Sequence, residues 1–108
     1  MADNNRITIY IGNQEPQIYD LDSFQSDYIR LGRGPYHGNE NAVVNDIIID
    51  PQISFISRAH CTFFRADGKW YVNDDKSVNG LEFNGVKFES KVLHDGDKIY
   101  IGKRSEER

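Results

Sequence analysis

Along much of this chain apolar and polar side chains alternate one by one. In RITIYI (6–11) Ile7, Ile9 and Ile11 interleave with Thr8 and Tyr10, and in KWYVN (69–73) Trp70 and Val72 alternate with Tyr71 and Asn73. A period of two sends successive side chains to opposite faces of an extended backbone, so both runs predict strands with one buried face. Trp70 falls on the buried face of its run, where its large apolar area suits a core. Shorter strands are predicted at 17–21 (QIYDL), 28–32 (YIRLG), 46–50 (DIIID), 60–64 (HCTFF), 81–83 (LEF), 86–88 (VKF) and 98–101 (KIYI). No window of helical length carries an apolar stripe of period 3.6, so helix is expected only as a turn or two in loops.

Turn chemistry separates these runs. Asp67-Gly68 lies between HCTFF and KWYV, and Asn84-Gly85 between LEF and VKF. Both dipeptides tolerate the positive φ angles of a two-residue hairpin. Asp95-Gly96 stands before KIYI in the same way. Many short strands at this spacing predict an all-β chain, a β-sandwich of two antiparallel sheets. One stretch breaks the rhythm: GPYHGNENAVVN (34–45) is rich in Gly and Asn and does not alternate, so it is expected to be a long, exposed, mobile loop.

With 108 residues, 38% of them hydrophobic and 12% aromatic, the chain is long enough for one domain with its own core. We expect residues 1–108 to form a single domain cut from a longer protein, since KRSEER follows closely on the last apolar run. The start, MADNNR, lacks the basic and apolar blocks of a signal peptide, and no apolar run reaches the roughly 20 residues that span a membrane. Membrane insertion is not expected. The lone Cys61 sits in the apolar run CTFF and reads as a buried structural thiol in a reducing, cytoplasmic or otherwise intracellular setting. A net charge of −4 argues against nucleic acid as a partner, because such binding draws on clustered cations facing phosphates.

The candidate chemistry begins at Ser57-Arg58-Ala59-His60. A nucleophilic serine must lie within about 3 Å of its base, whereas an extended backbone would place Ser57 and His60 about 10 Å apart on opposite faces. No Gly-x-Ser-x-Gly elbow surrounds the serine. Hence no catalytic set is read. His37, His60, His94 and Cys61 are scattered without paired ligand spacing, so no metal and no cofactor are expected, and His37 and His94 read as solvated surface histidines. Anion binding remains. Arg33 ends one predicted strand, Ser57 and Arg58 precede another, and Ser77 and Asn79 precede a third. Loops at one end of a sandwich cluster, and guanidinium groups with hydroxyls suit phosphate oxygens. Taken singly, each arginine reads equally as a solvated charge.

The ordered set Leu31-Gly32-Arg33, Asn45-Asp46-Ile47-Ile48-Ile49, Ser57-Arg58-Ala59-His60, Asp75-Lys76-Ser77-Val78-Asn79-Gly80, Asn84-Gly85 and Leu93-His94-Asp95-Gly96-Asp97-Lys98-Ile99 resembles the forkhead-associated (FHA) domain family over residues 28–102. That resemblance implies a sandwich of about eleven short strands that binds a Thr-phosphorylated protein or peptide in signalling or regulated assembly and performs no chemistry on it. It implies that Arg33 contacts the phosphate or braces the loops, that Ser57 donates its hydroxyl to a phosphate oxygen, and that Arg58 adds a second cation. Asn79 would bond the peptide backbone after the phosphothreonine. Gly32, His60 and Gly80 would be structural, His60 holding the serine loop in shape and Gly80 permitting the adjacent turn.

Three departures from the family pattern stand out. Val78 occupies a position where many members carry a threonine, so one hydroxyl donor is missing; Ser77 beside it could compensate, or Val78 could pack into the core beside Leu81 or Phe83. The 34–45 loop could flank the site and bias partner choice. Only six residues follow Gly102 for the family's last strand. A phosphate-independent interaction or assembly domain therefore remains the alternative function, with an enzyme as a third class. Oligomeric state is not legible in the sequence.

Overall fold

A computed structural model describes residues 5–38 and 43–102 of the chain. Ten strands follow in order: β1 (Arg6–Ile11), β2 (Gln17–Asp20), β3 (Tyr28–Arg33), β4 (Ile47–Ile49), β5 (Cys61–Ala66), β6 (Lys69–Asp74), β7 (Leu81–Phe83), β8 (Val86–Phe88), β9 (Ser90–Val92) and β10 (Asp97–Ile101). They form two five-stranded sheets, one ordered β2-β1-β10-β7-β8 and the other β4-β3-β5-β6-β9. One 3-10 turn, Leu21–Phe24, follows β2, with the Asp20 carboxylate capping it by accepting from the Asp22 amide at 3.1 Å.

The sheets are mixed, not purely antiparallel as expected. β1 runs parallel to β10, with Ile9 opposite Ile99, and β3 runs parallel to β4, with Leu31 opposite Ile47. Parallel neighbours cannot be joined by a hairpin and need a crossover of about a dozen residues. The long 34–46 segment is that crossover. Its described ends pair with each other: Gly34 and Asn45 are buried, Tyr36 bridges to Val44, and the His37 amide donates to the Val43 carbonyl at 2.9 Å. Its middle, residues 39–42, lies outside the described residues, as does the tail after Gly102 where a further family strand is expected.

The two faces assigned from alternation meet in one core. Ile7, Ile9 and Ile11 of β1 pack with Ile29 and Leu31 of β3, Phe63 of β5 and Ile99 of β10, all buried. Trp70 is 1% exposed, and its indole N–H donates to Asp22 at 3.0 Å, so the ring is buried without leaving its polar atom unpaired. Asp67-Gly68 and Asn84-Gly85 take positive φ at both residues, as two-residue hairpins demand. β9 is the strand that alternation did not show. Ser90-Lys91-Val92 has no buried side chain to betray it and is held by pairing with the edge of β6.

Candidate functional site

Three segments meet at one end of the sandwich: the end of β3, the loop before β5, and the turn between β6 and β7. Gly32 permits the first two to touch. A Cβ built on it would sit 1.7 Å from the Arg58 carbonyl oxygen, so only glycine lets the serine loop lie against β3. Arg33, the next residue, ties down the same loop: its amide donates to the Ser57 carbonyl at 3.0 Å and its Nε to the Ile56 carbonyl at 2.7 Å. Among the described residues no partner is found for its two Nη groups, which remain available to an anion.

Ser57 is oriented from two sides. Its amide donates to His60 Nδ1 at 3.0 Å, and its Oγ accepts from the Val78 amide at 2.9 Å. One lone pair of the hydroxyl is thereby used while its hydrogen is free to donate. His60 is buried, and because Nδ1 accepts, Nε2 carries the proton and donates to the Gly80 carbonyl at 3.0 Å. Burial pushes the imidazole below its ordinary pKa, which favours this neutral form. The lone pair that a base would need is spent on backbone. His60 therefore joins the serine loop to the β6–β7 turn and is not paired with the Ser57 hydroxyl.

The β6–β7 turn supplies the third wall. Asn79 donates from Nδ2 to the Phe55 carbonyl at 2.9 Å. Ser77 is committed internally, donating to the Asp74 carboxylate while its Oγ accepts from the Gly80 amide at 2.9 Å. Its hydroxyl thus braces the turn, and the expected compensation for Val78 has no free donor there. Gly80 has φ +79°, which a side chain would strain. Val78 is 86% exposed and does not pack into the core beside Leu81 or Phe83. Arg58 is also exposed. With Arg33 it lines a cavity of about 300 Å³ whose other walls include Pro35, Tyr36 and Pro51. A second cleft, about 310 Å³, is lined by Asn79 together with Asp74, Val78, Lys87 and Phe88 among others.

Among these residues the structure gathers Arg33, Ser57, Arg58 and Asn79 on neighbouring segments, with Gly32, His60 and Gly80 behind them. His37 differs from expectation. Its side chain is only 10% exposed, with Nδ1 2.6 Å from Asn45 Oδ1 and Nε2 2.8 Å from the Asp75 carboxylate. His94, by contrast, is 73% exposed beside Asp97. Sequence reasoning also missed Asn45, which is buried and donates from Nδ2 to the carbonyls of Gly34, Tyr36 and Arg58 at 2.9, 3.1 and 3.1 Å. Its signal was the Asn-Asp pair itself. The acceptor carbonyls of Phe55 and Ile56 carry no side-chain signal at all.

Comparison with known proteins places this arrangement. The FHA domain profile matches residues 29–102. The chain belongs to the FHA domain family. Members of this family are non-catalytic interaction modules. This FHA domain is 40% identical over 74 residues to the ABC transporter ATP-binding/permease protein Rv1747 of Mycobacterium tuberculosis, a match covering 68% of this chain and 7% of that protein's length. Its fold is similar to that of Mycobacterium tuberculosis EmbR in complex with a low affinity phosphopeptide, with a TM-score of 0.61 at 23% identity, covering 91% of this chain and 22% of that one. It is also similar to the FhaA FHA domain complexed with the intracellular domain of Rv3910, with a TM-score of 0.58 at 21% identity and 80% of each chain covered.

Proposed function

We propose that this FHA domain binds phosphothreonine-containing protein segments, without acting on them chemically, through Arg33, Ser57, Arg58 and Asn79. The carrying observation is the state of the Ser57 hydroxyl: its oxygen accepts from the Val78 amide, which leaves its hydrogen to donate, while the Nη groups of Arg33 have no partner among the described residues. A tetrahedral dianion suits this set, because hydrogen bonds to charged acceptors are the stronger class. Asn79, anchored through one amide hydrogen to the Phe55 carbonyl, keeps its Oδ1 and second N–H for the backbone of a peptide. The similarity to a phosphopeptide complex of EmbR supports the same reading.

The test is an oriented library of phosphothreonine peptides, followed by titration of a selected peptide with and without its phosphate. Binding confined to the phosphorylated form is the expected result. Equal binding of both forms would reassign the domain to phosphate-independent assembly, the reading that Val78 favours by lacking a donor.

A further inference from the structure

Both ring nitrogens of His37 face acceptors. The orientation of Asn45 settles the first: its Nδ2 reaches three backbone carbonyls, so its Oδ1, with no hydrogen to give, is the atom 2.6 Å from His37 Nδ1. Turning the amide over would set its oxygen against those same three carbonyls. The second nitrogen, Nε2, lies 2.8 Å from Asp75 Oδ2, which also accepts from the Thr62 hydroxyl at 2.7 Å. Two acceptors require two N–H donors, and an imidazole carries two only as its cation.

We propose that His37 is held as an imidazolium and is a positioning residue of the recognition site, so that its loss of a proton loosens the site. It joins three segments. Asn45 holds the crossover at Gly34 and Tyr36 and the serine loop at Arg58, while Asp75 begins the β6–β7 turn and its own amide donates to the His60 carbonyl at 2.9 Å. The ionisable groups on the elements around this corner are Arg33 on β3, Tyr36 and Asp46 on the crossover, Arg58 and His60 on the serine loop, Cys61 on β5, Asp74 at the end of β6, and Asp75 and Lys76 in the β6–β7 turn. Of these, the Asp75 carboxylate is the one bonded to the ring. None of the expected phosphate contacts involves His37. Its effect on a ligand runs through the placement of Arg58 and the turn.

The inference about binding rests on the proposed function, whereas the charge state does not. The ring nitrogens of wild-type His37 should be read by NMR between about pH 5.5 and pH 8, and phosphothreonine peptide affinity measured over the same range for wild type and His37→Gln. Phosphothreonine itself titrates near pH 6, so the ratio of the two dissociation constants, in which that titration cancels, is the informative quantity. We expect two protonated ring nitrogens at the acid end, and a wild-type advantage of about three- to tenfold there that shrinks toward unity at the alkaline end. A ring with one bare nitrogen at the acid end, or a ratio constant across the range, overturns the proposal. If wild type binds no phosphopeptide at any pH, the proposed function falls separately. The brace is then judged by the ring spectrum and by the melting-temperature difference between the two proteins: a difference that narrows as pH rises sustains it, and a constant one overturns it.

Discussion

At the scale of single residues the site separates side chains with free donors from those already spent. Arg33→Ala and Ser57→Ala should each weaken phosphothreonine peptide binding by about 1.5 to 3 kcal/mol, the range for hydrogen bonds to charged groups. Arg58→Ala should cost roughly 0 to 1 kcal/mol, because an exposed cation is screened and mobile. Calorimetric titration of the three variants checks the order, and a larger loss for Arg58 than for Ser57 would make the exposed cation, not the pinned hydroxyl, the main phosphate ligand. Val78→Thr is the converse test. At 86% exposure the new hydroxyl meets water, so the melting temperature should not move, while a donor beside the phosphate should improve affinity between about twofold and a hundredfold. Unphosphorylated peptide should gain nothing. A lowered melting temperature with unchanged affinity would mean that this side chain does not face the ligand.

At the scale of elements, the site depends on three strand ends held together by backbone contacts. Gly32→Ala drives a methyl group into the Arg58 carbonyl, which sits where the Cβ would be. Either β3 or the serine loop must move, and overpacking of this kind commonly costs about 1 to 3 kcal/mol. Denaturant melts should show that loss together with weaker phosphopeptide binding, since Ser57 and Arg58 move with the loop. His60 adds a dependence on pH. Its pKa is lowered by burial, so the unfolded chain takes up the proton first as the pH falls. Stability is therefore full above the unfolded value, about 6.5, and is lost as pH falls from there toward the lower folded value. Thermal melts of wild type and His60→Gln on the acid side of neutrality should converge as the pH drops. A wild-type advantage that grows with acidity would contradict the neutral, Nε2-protonated ring.

At the scale of the whole molecule, the sandwich encloses its one tryptophan. Trp70 is 1% exposed and bonded to Asp22, so acrylamide should quench native fluorescence little and unfolded fluorescence freely. Trp70→Ala should destabilise the fold by about 3 to 5 kcal/mol, the usual cost of deleting a buried aromatic side chain. Asp22 is held below the ordinary carboxylate pKa, first by its hydrogen bond from Asn5 and then by that from Trp70. Its contribution is present above the unfolded value of about 3.8 and is lost as pH falls through the lower folded one. Circular dichroism should be dominated by β structure, since among the described residues helix is limited to the Leu21–Phe24 turn.

Much of this was determined by the sequence alone, wherever a physical rule acts between near neighbours. The runs RITIYI and KWYVN became β1 and β6 because a period of two puts one face of a strand in the core, and Asp67-Gly68 and Asn84-Gly85 became hairpin turns because their φ angles are local properties. The family motif was legible for the same reason, each short piece lying at a strand end. Tertiary structure decided what depends on distant partners. β9 has no buried face and exists through β6, while the parallel pairs β1–β10 and β3–β4 join segments that no local pattern relates. Val78 could be assigned neither to the core nor to the surface until the turn was closed, and Ser77 looked free until Asp74 and Gly80 were seen to use its hydroxyl. His37 is the clearest case: in sequence it is one histidine in a Gly- and Asn-rich loop. Only folding brings Asn45 and Asp75 to its two nitrogens, and a side chain's charge state is set by what surrounds it in space.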